Sequence, residues 1–396
     1  MSRPVLVLML CLFSVGSAEF VIAGILPGIA ADLDVSLPAA GLLVSGYAVA
    51  VMIGGPLITL ATTRVPRKPL MATLMAVFTA SNVVAAAAPD YGVLMAARML
   101  GALTHCTFFA LCIVVAVRLV PEDRQGAAIA HLAIGLNLAN ILGVPLGTLV
   151  GSEYGWRATF WTVALCGAAA TLLLLVAIPS VRGDVRAGAL AELKVLGVRR
   201  VQMAVVMSAL GCAGVFTAYT FISPVLTEVS GFSPGAVTWL LLLFGLGTFA
   251  GSLLGGRLTD RALMPSLSGL LGVLTVVLAA FALAVSVGWA AVGGVLVFGA
   301  AFGAILPGLQ ARILQSTGSG APTLAVAVNI SAMNIGIAFG AWLGGAVLDG
   351  GRGLRTVIVA GAAVALLGFL VSLRELARDR AGSPAAPRGA AQTPAP

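Results

Sequence analysis

The sequence has few charged residues, only two histidines and only two lysines. Charged residues make up 9% of the 396 positions, whereas 60% are hydrophobic and the mean hydropathy is +1.09. A soluble domain carries about 25% charged residues, so this chain cannot cover itself with a surface that water would solvate. The composition excludes an ordinary soluble domain and predicts a protein whose solvent is lipid.

Long stretches of alternating apolar and polar residues are also missing. Strands of a membrane barrel alternate in this way over about 10 positions, whereas the apolar runs here are continuous and about 20 residues long. Because lipid offers no hydrogen-bond partners, the backbone of each run has to satisfy its own polar groups as a helix. The predicted fold class is an all-α integral membrane protein.

The sparse reactive residues exclude most cofactor chemistry. The five cysteines lie within apolar runs and lack the spacing of a disulfide framework or a metal site. His105 and His131 are too far apart for a helical zinc-protease motif. Neither lysine ends a phosphate-binding loop, since a proline follows Lys68 and a valine follows Lys194. We therefore expect no metal, no cofactor and no ATP-driven pump, and the dispersed basic residues argue against nucleic acid.

Twelve apolar runs, numbered here as spans 1 to 12, follow one another with short charged or turn-forming joints between them. The start resembles a signal peptide with a cleavage site after Ala18, but the apolar run continues to Ala31, bent by Pro27, which favours an uncleaved first span. The predicted spans are 5–27, 38–61, 70–89, 91–119, 127–151, 157–178, 201–226, 236–256, 264–286, 289–312, 322–347 and 354–373.

The basic residues mark one side of the predicted bundle. Of the 22 lysines and arginines, one lies inside a span. The joints on the side away from the two termini carry only Arg157, Arg352 and Arg355. Because cytoplasmic joints carry the excess of basic residues, the N- and C-termini are both predicted to face the cytoplasm.

A shift of 197 residues aligns the two halves of the sequence, since Pro27 then meets Pro224 and Gly54 meets Gly251. Such internal repeats are typical of secondary transporters. The composition of the joint between the halves fits an amphipathic interfacial segment and a solvated linker equally well. The predicted domains are a six-helix bundle at 1–178, a cytoplasmic linker at 179–200, a second six-helix bundle at 201–375 and a disordered cytoplasmic tail at 376–396.

Glu19 is the one carboxylate that the sequence places deep within a span. An ionised acid in that position costs a few kcal/mol and marks a functional site by default. Its predicted role is to bind and release a proton. The alternative is a structural role in which it holds a neighbouring helix. Arg98 of span 4 is predicted at the same depth, about 10–12 Å below the outer surface, which permits a charge pair. His105 follows on the same helical face, as a proton relay or as a packing residue.

Several segments resemble the major facilitator superfamily: Glu19–Pro27, Gly55–Lys68, Arg98–Gly101, Gly143–Gly147 and Gly155–Trp161. Within it they are most similar to the twelve-span drug:proton antiporters, with the chloramphenicol-resistance exporters as the closest group and sugar and purine exporters as near relatives. The resemblance implies two pseudo-symmetric six-helix bundles in a bacterial inner membrane that work by alternating access.

The resemblance also implies roles for two groups of residues. The cytoplasmic gating motif corresponds to Arg64, Arg67 and Lys68 in the first half and to Asp260 and Arg261 in the second. The first copy departs from the pattern, because Thr63 stands where the second copy has Asp260. Span 5 carries residues that resemble the antiporter motif: Gly143, Pro145 and Gly147. In that motif small residues and a kink allow close helix packing. Ordinary packing of small residues would explain these three positions too.

Substrate contacts are predicted from amides and aromatic rings within the spans. Amides in lipid need partners and should face the interior, while core or lipid-facing packing is the favoured explanation for any single aromatic ring. These residues are Tyr47, Phe108, Asn137, Asn140, Phe216, Tyr219, Asn329 and Asn334. The predicted function is proton-coupled export of a small, largely apolar drug by a monomer. Export of a sugar, purine or amino acid, proton-coupled import and, remotely, an intramembrane enzyme are the alternatives.

Overall fold

The computed structural model describes residues 3–62, 65–121, 124–179, 197–317 and 322–381. Within them, twelve helices are long and apolar enough to cross a membrane, and no strand occurs. The predicted all-α fold of twelve spans is therefore confirmed. Most of the predicted linker and tail, together with Arg64, fall outside the described residues.

The helices follow the predicted spans closely. Spans 1, 5 and 7 consist of consecutive segments, and each of the others is one continuous helix. In chain order they are Arg3–Phe20 with Ile22–Asp32, Leu37–Ala61, Arg67–Ala86, Tyr91–Arg118, Gln125–Leu138 with Ala139–Gly143 and Val144–Tyr154, Trp156–Ala177, Arg199–Tyr219 with Ile222–Pro224 and Val225–Val229, Pro234–Arg261, Leu263–Ala284, Gly288–Thr317, Pro322–Asp349 and Leu354–Ala381.

The interruptions in these spans have identifiable causes. Span 5 contains a π-helical turn, Ala139–Gly143, which ends two residues before Pro145. Proline lacks an N–H and its ring displaces the carbonyl four residues earlier, which a wider turn accommodates. Span 7 has a similar π-helical turn directly after Pro224. Span 1 has a break at Val21 that was not predicted, and Pro27 lies within its second helical segment.

The two halves repeat the same helix contact at the offset of 197 residues. A Cβ built at Gly54 in span 2 would lie 2.8 Å from the Cα of Leu103 in span 4. A Cβ built at Gly251 in span 8 would lie 2.8 Å from the Cα of Ala300 in span 10. Glycine is required at both places because the two backbones touch. The repeat in the sequence thus corresponds to a repeated contact in the fold.

The chain has an even number of spans, so both termini lie on one side of the bundle, called here the termini side, and the other is the far side. On the far side, span 2 packs against the second half. The Oγ of Ser45 donates a hydrogen bond to the carbonyl of Ala338 in span 11, at 2.9 Å. Gly41 lies against the ring of Phe221 in span 7. Nearer the termini side, Ile330 of span 11 packs against residues of spans 2 and 4.

Span 12 continues to Ala381, past the predicted boundary at residue 375 and into the segment predicted to be disordered. Glu375 is buried and accepts a hydrogen bond from Arg199 of span 7 at 2.6 Å. Arg312 of span 10 pairs with Asp379 at 2.9 Å. These ion pairs tie the charged end of span 12 to two neighbouring helices, which explains why the helix extends beyond its apolar run.

Candidate functional site

Glu19, Tyr47, Arg98 and His105 meet inside the first half and are called here the Glu19 cluster. Spans 1, 2 and 4 supply them, and the Glu19 side chain is 11% exposed. The Nδ1 atom of His105 lies 3.8 Å from Oε2 of Glu19 and 3.2 Å from the hydroxyl of Tyr47. The ring nitrogen is therefore within hydrogen-bond distance of the phenol, whereas the carboxyl group lies at a distance that allows an ion pair with a protonated imidazole.

Arg98 bonds the main chain of span 1 and not the carboxylate of Glu19. Its Nη1 donates to the carbonyl of Ala18 at 2.5 Å, and its Nη2 lies 3.5 Å from the carbonyl of Glu19. Its guanidinium carbon is 4.3 Å from the centre of the Tyr47 ring. Among the described residues, the ion-pair partner within 4.0 Å of the Glu19 carboxylate is His105. The predicted proximity of Glu19 and Arg98 holds, but the bonded atoms differ.

The Glu19 cluster borders the second half. The ring of Phe20 lies 5.9 Å from that of Phe216 in span 7. Glu19 therefore lies where the two halves face each other, which is the position that a group exposed to either side in turn would occupy.

Across from the Glu19 cluster, the second half presents a group of rings called here the aromatic wall: Phe216, Tyr219, Phe244 and Phe302. Tyr219 stacks on Phe244 with centroids 4.6 Å apart and meets Phe216 edge-on at 5.6 Å. Phe216 meets Phe302 edge-on at 5.9 Å. The two rings of span 7 were predicted from the sequence. Those of spans 8 and 10 were not, because no spacing signal links residues on separate helices.

Among the described residues, no hydrogen bond or ring contact connects the other residues predicted to contact substrate with these two groups. Phe108 is 1% exposed and packs in the core of the first half. Asn140 donates weakly to the carbonyl of Leu136 at 3.4 Å. Asn329 and Asn334 are buried, and their Oδ1 atoms accept no hydrogen bond within the described residues. Asn137 is half-buried in span 5.

The residues that resemble the gating motif lie at helix ends on the termini side. Asp260 and Arg261 are exposed in the last turn of span 8. Arg67 and Lys68 begin span 3. In the part of the chain that the structure describes, no ion pair involves Asp260. The acidic residue in the second copy of the gating motif is therefore not paired with a basic side chain there.

The antiporter motif packs against span 1 on both sides of Glu19. A Cβ at Gly143 would lie 2.8 Å from the Cβ of Ser17, and a Cβ at Gly147 would lie 2.6 Å from Cγ2 of Val21. On the opposite side of span 5, Gly245 of span 8 approaches the carbonyl of Asn140 equally closely. Span 5 is thus inserted between the helix that carries Glu19 and the second half.

Comparisons with known proteins agree with this architecture. A family model of the Major Facilitator Superfamily matches residues 8–321 and 207–396. The chain is 42% identical over 368 residues to the inner membrane transport protein YdhP of Escherichia coli strain K12, covering 93% of this chain and 94% of that protein. It is 36% identical over 344 residues to a chloramphenicol resistance protein of Streptomyces lividans, covering 86% and 88%.

The fold is also found among solved structures. A bacterial homolog of the human lysosomal transporter Spinster, in an inward-facing and unoccupied conformation, aligns with a TM-score of 0.73 at 17% identity, covering 94% of this chain and 97% of that one. The twelve helical spans, the repeated halves and the matches over most of the chain lead to one conclusion. The chain is a multi-pass membrane transporter, not an enzyme, and belongs to the Major Facilitator Superfamily.

Proposed function

We propose that this chain exports a small, largely apolar drug of the chloramphenicol class in exchange for protons, with Glu19 as the group that carries the proton. The observation that carries the proposal is the Glu19 cluster, in which a carboxyl group deep within span 1 lies 3.8 Å from His105 at the boundary of the two halves. The similarity to a chloramphenicol resistance protein over 86% of this chain supports the drug class.

Proton binding by Glu19 rests on the free-energy cost of an ionised carboxylate at a site that is shielded from water. An ionised carboxylate there loses its hydration, so it gains from binding a proton whenever the site opens to an acidic side. His105 and the fixed charge of Arg98 lower the cost of the ionised form when the site opens to the other side. One proton moved across 100 mV supplies roughly 2.3 kcal/mol, which corresponds to about 50-fold accumulation of a neutral substrate.

The orientation in the membrane is part of the proposal. The basic residues concentrate on the termini side, which we assign to the cytoplasm of a bacterial cell. Arg64, Arg67, Lys68, Asp260 and Arg261 would then act at the cytoplasmic entrance. We propose that the protein acts as a monomer.

The test is uptake of radiolabelled chloramphenicol into inside-out membrane vesicles with an acidic lumen. Export in the cell becomes uptake in this geometry, and protons leave the lumen as the drug enters. We expect accumulation by the wild type and only equilibration by Glu19→Gln at equal membrane levels. The matched control is Glu153→Gln, which neutralises an exposed acid on the far side and should accumulate the drug normally.

Three results would change the proposal. Undiminished accumulation by Glu19→Gln would remove that carboxyl group from the mechanism. Gradient-driven uptake of a labelled sugar, purine or amino acid in place of chloramphenicol would replace the drug with a metabolite. Accumulation under the reversed pH gradient would make the protein an importer.

A further inference from the structure

One nitrogen of the Arg98 side chain has no hydrogen-bond partner among the described residues. Arg98 is 4% exposed, and its Nη1 and Nη2 atoms are directed at the carbonyls of Ala18 and Glu19 in span 1. Its Nε atom is buried and is the nitrogen without an acceptor. A buried donor that lacks an acceptor costs the free energy of its lost hydration, and more when the group is charged. We therefore expect an acceptor close to Nε.

A small cavity lies beside Arg98 and is lined mainly by spans 3 and 4. The space in it that a water-sized sphere can occupy is about 10 Å³, which is close to the least that one buried water molecule needs. Apart from Arg98, the polar side chains that line it are those of Tyr47, Ser81 and Asn82. Tyr47 presents its ring to the guanidinium, and its hydroxyl meets His105. The acceptors left for this cavity are therefore those of Ser81 and Asn82 in span 3.

Ser81 and Asn82 are both buried and both donate to the same carbonyl. The Oγ of Ser81 donates to the carbonyl of Phe78 at 2.7 Å, and the Nδ2 of Asn82 donates to it at 2.8 Å. These bonds use the only hydroxyl hydrogen of Ser81 and one amide hydrogen of Asn82. The hydroxyl oxygen and the amide oxygen can still accept, but neither is bonded to Nε of Arg98.

One water molecule matches the donor on one side of the cavity and the acceptors on the other. It can accept a hydrogen bond from Nε and donate one each to Ser81 and Asn82, and three bonds are typical of a buried water. A chloride ion is larger and has no hydrogen to share with these two oxygens. A cation would be repelled by the guanidinium. The chemistry and the size of the cavity thus agree on the same occupant.

We infer that the cavity beside Arg98 binds one water molecule, which joins Nε of Arg98 to Ser81 and Asn82 and makes these two residues positioning residues for the guanidinium. Span 1 then holds Arg98 on one side and span 3 on the other, and none of its hydrogen bonds depends on the carboxylate of Glu19. The guanidinium should keep its place whether or not Glu19 carries a proton. This inference goes beyond the proposed function, since it depends neither on the cargo nor on the direction of transport.

The test is NMR spectroscopy of the purified full-length protein in detergent, with isotope-labelled arginine side chains. The Nε–H signal of Arg98 is identified by its loss in Arg98→Lys. We expect rotating-frame cross-relaxation between this proton and water in the wild type and also in Glu19→Gln. Asn82→Leu removes an acceptor and extends methyl groups into the cavity, so the cross-peak to water should be lost.

The matched control is Thr79→Val, which removes a hydroxyl of the same helix that does not line the cavity and that donates to the carbonyl of Met75 at 2.9 Å. It should keep the cross-peak. A wild-type Nε–H signal without a cross-peak to water would overturn the inference, and so would an unchanged cross-peak in Asn82→Leu at matched thermal stability. Loss of the cross-peak in Glu19→Gln would show that the position of Arg98 depends on that carboxylate.

A crystal structure of the wild type that resolves single waters decides the matter if Asn82→Leu fails to fold. We expect one water within hydrogen-bond distance of Nε of Arg98, Oγ of Ser81 and the amide oxygen of Asn82. A direct hydrogen bond from Nε to any group of the protein, with no water in the cavity, would overturn the inference and leave the proposed exchange of drug for protons untouched.

Discussion

The guanidinium of Arg98 donates a hydrogen bond to the main-chain carbonyl of Ala18, 2.5 Å away, just before the first helical segment of span 1 ends at Phe20. In an unbroken helix that carbonyl would accept from the N–H four residues later. The break at Val21 disturbs this pattern, and lipid offers no substitute partner. Span 4 therefore supplies, through Arg98, the hydrogen bond that lets span 1 break beside Glu19.

Removing this capping bond should destabilise the protein. We expect Arg98→Ala to lower the free energy of unfolding by about 1.5–3 kcal/mol, the range for a hydrogen bond to a charged group. Arg98→Lys should recover only part of the loss, because an ammonium group lacks the planar fork that reaches two carbonyls. Thermal unfolding in detergent measures both. Arg352→Ala, at an exposed far-side position, is the control, and equal melting temperatures for all variants would contradict the capping role.

Tyr47 contributes its ring and its hydroxyl to different partners, and two substitutions separate them. Tyr47→Phe keeps the ring 4.3 Å from the guanidinium of Arg98 but removes the hydroxyl that meets His105. Tyr47→Leu removes both, including a cation–π interaction of roughly 0.5–2 kcal/mol. We expect melting temperatures in the order wild type, Tyr47→Phe, Tyr47→Leu. Identical values for the two variants would show that the ring beneath Arg98 contributes nothing.

The contact between Gly143 and Ser17 leaves no room for a methyl group. We expect Gly143→Ala to lower the free energy of unfolding by about 1–3 kcal/mol through overpacking, and the double variant Ser17→Gly with Gly143→Ala to recover most of it. Gly269→Ala is the matched control, since a Cβ there meets nothing within 4 Å. In that helix interior alanine should be neutral or stabilising by up to about 1 kcal/mol. Equal losses at both glycines would contradict this account.

Spans 2 and 7 meet on the far side at Gly41, where a Cβ would lie 2.6 Å from Cζ of Phe221, and we expect this contact to be needed for closure of that side. We expect Gly41→Leu to hold the far side open and to abolish transport. Spin labels replacing Tyr154 and Trp289, exposed on opposite halves, report the opening as a longer distance by pulsed electron resonance in a background without cysteine.

Gly28→Leu serves as the control for that experiment, because a Cβ at Gly28 meets nothing within 4 Å. It should leave the distance between the labels unchanged. An unaltered distance distribution in Gly41→Leu would show that the contact between Gly41 and Phe221 does not control closure.

The sequence was sufficient to predict the spans because lipid forces each long apolar run into a helix. The end of span 12 escaped this reasoning, since the residues beyond Leu373 are charged and are held by Arg199 and Arg312 from distant spans. Hydropathy records only the solvent that a segment prefers. It carries no information about ion pairs that allow a polar helix end to stay ordered.

The candidate site was partly predictable for a similar reason. Depth follows from the rise per residue, so Glu19 and Arg98 were correctly expected at one level. Which atom Arg98 binds depends on the break at Val21 and on the rotamer of a long side chain, neither of which has a sequence signature. The pairing of Tyr219 with Phe244 and Phe302 also depends on how three helices are brought together.

The backbone contact between spans 8 and 10 limits how this protein can evolve. Methyl groups at Gly247, Gly251 and Gly255 would each overlap a main-chain carbonyl of span 10. A Cβ has no alternative rotamer, and the opposing main-chain atoms cannot move independently of their helix. Alanine is the mildest replacement for glycine elsewhere, but at these positions it should be among the substitutions that destabilise the protein most. Variants selected for a changed cargo should therefore accumulate their substitutions around the rings of the second half, while this glycine seam stays invariant.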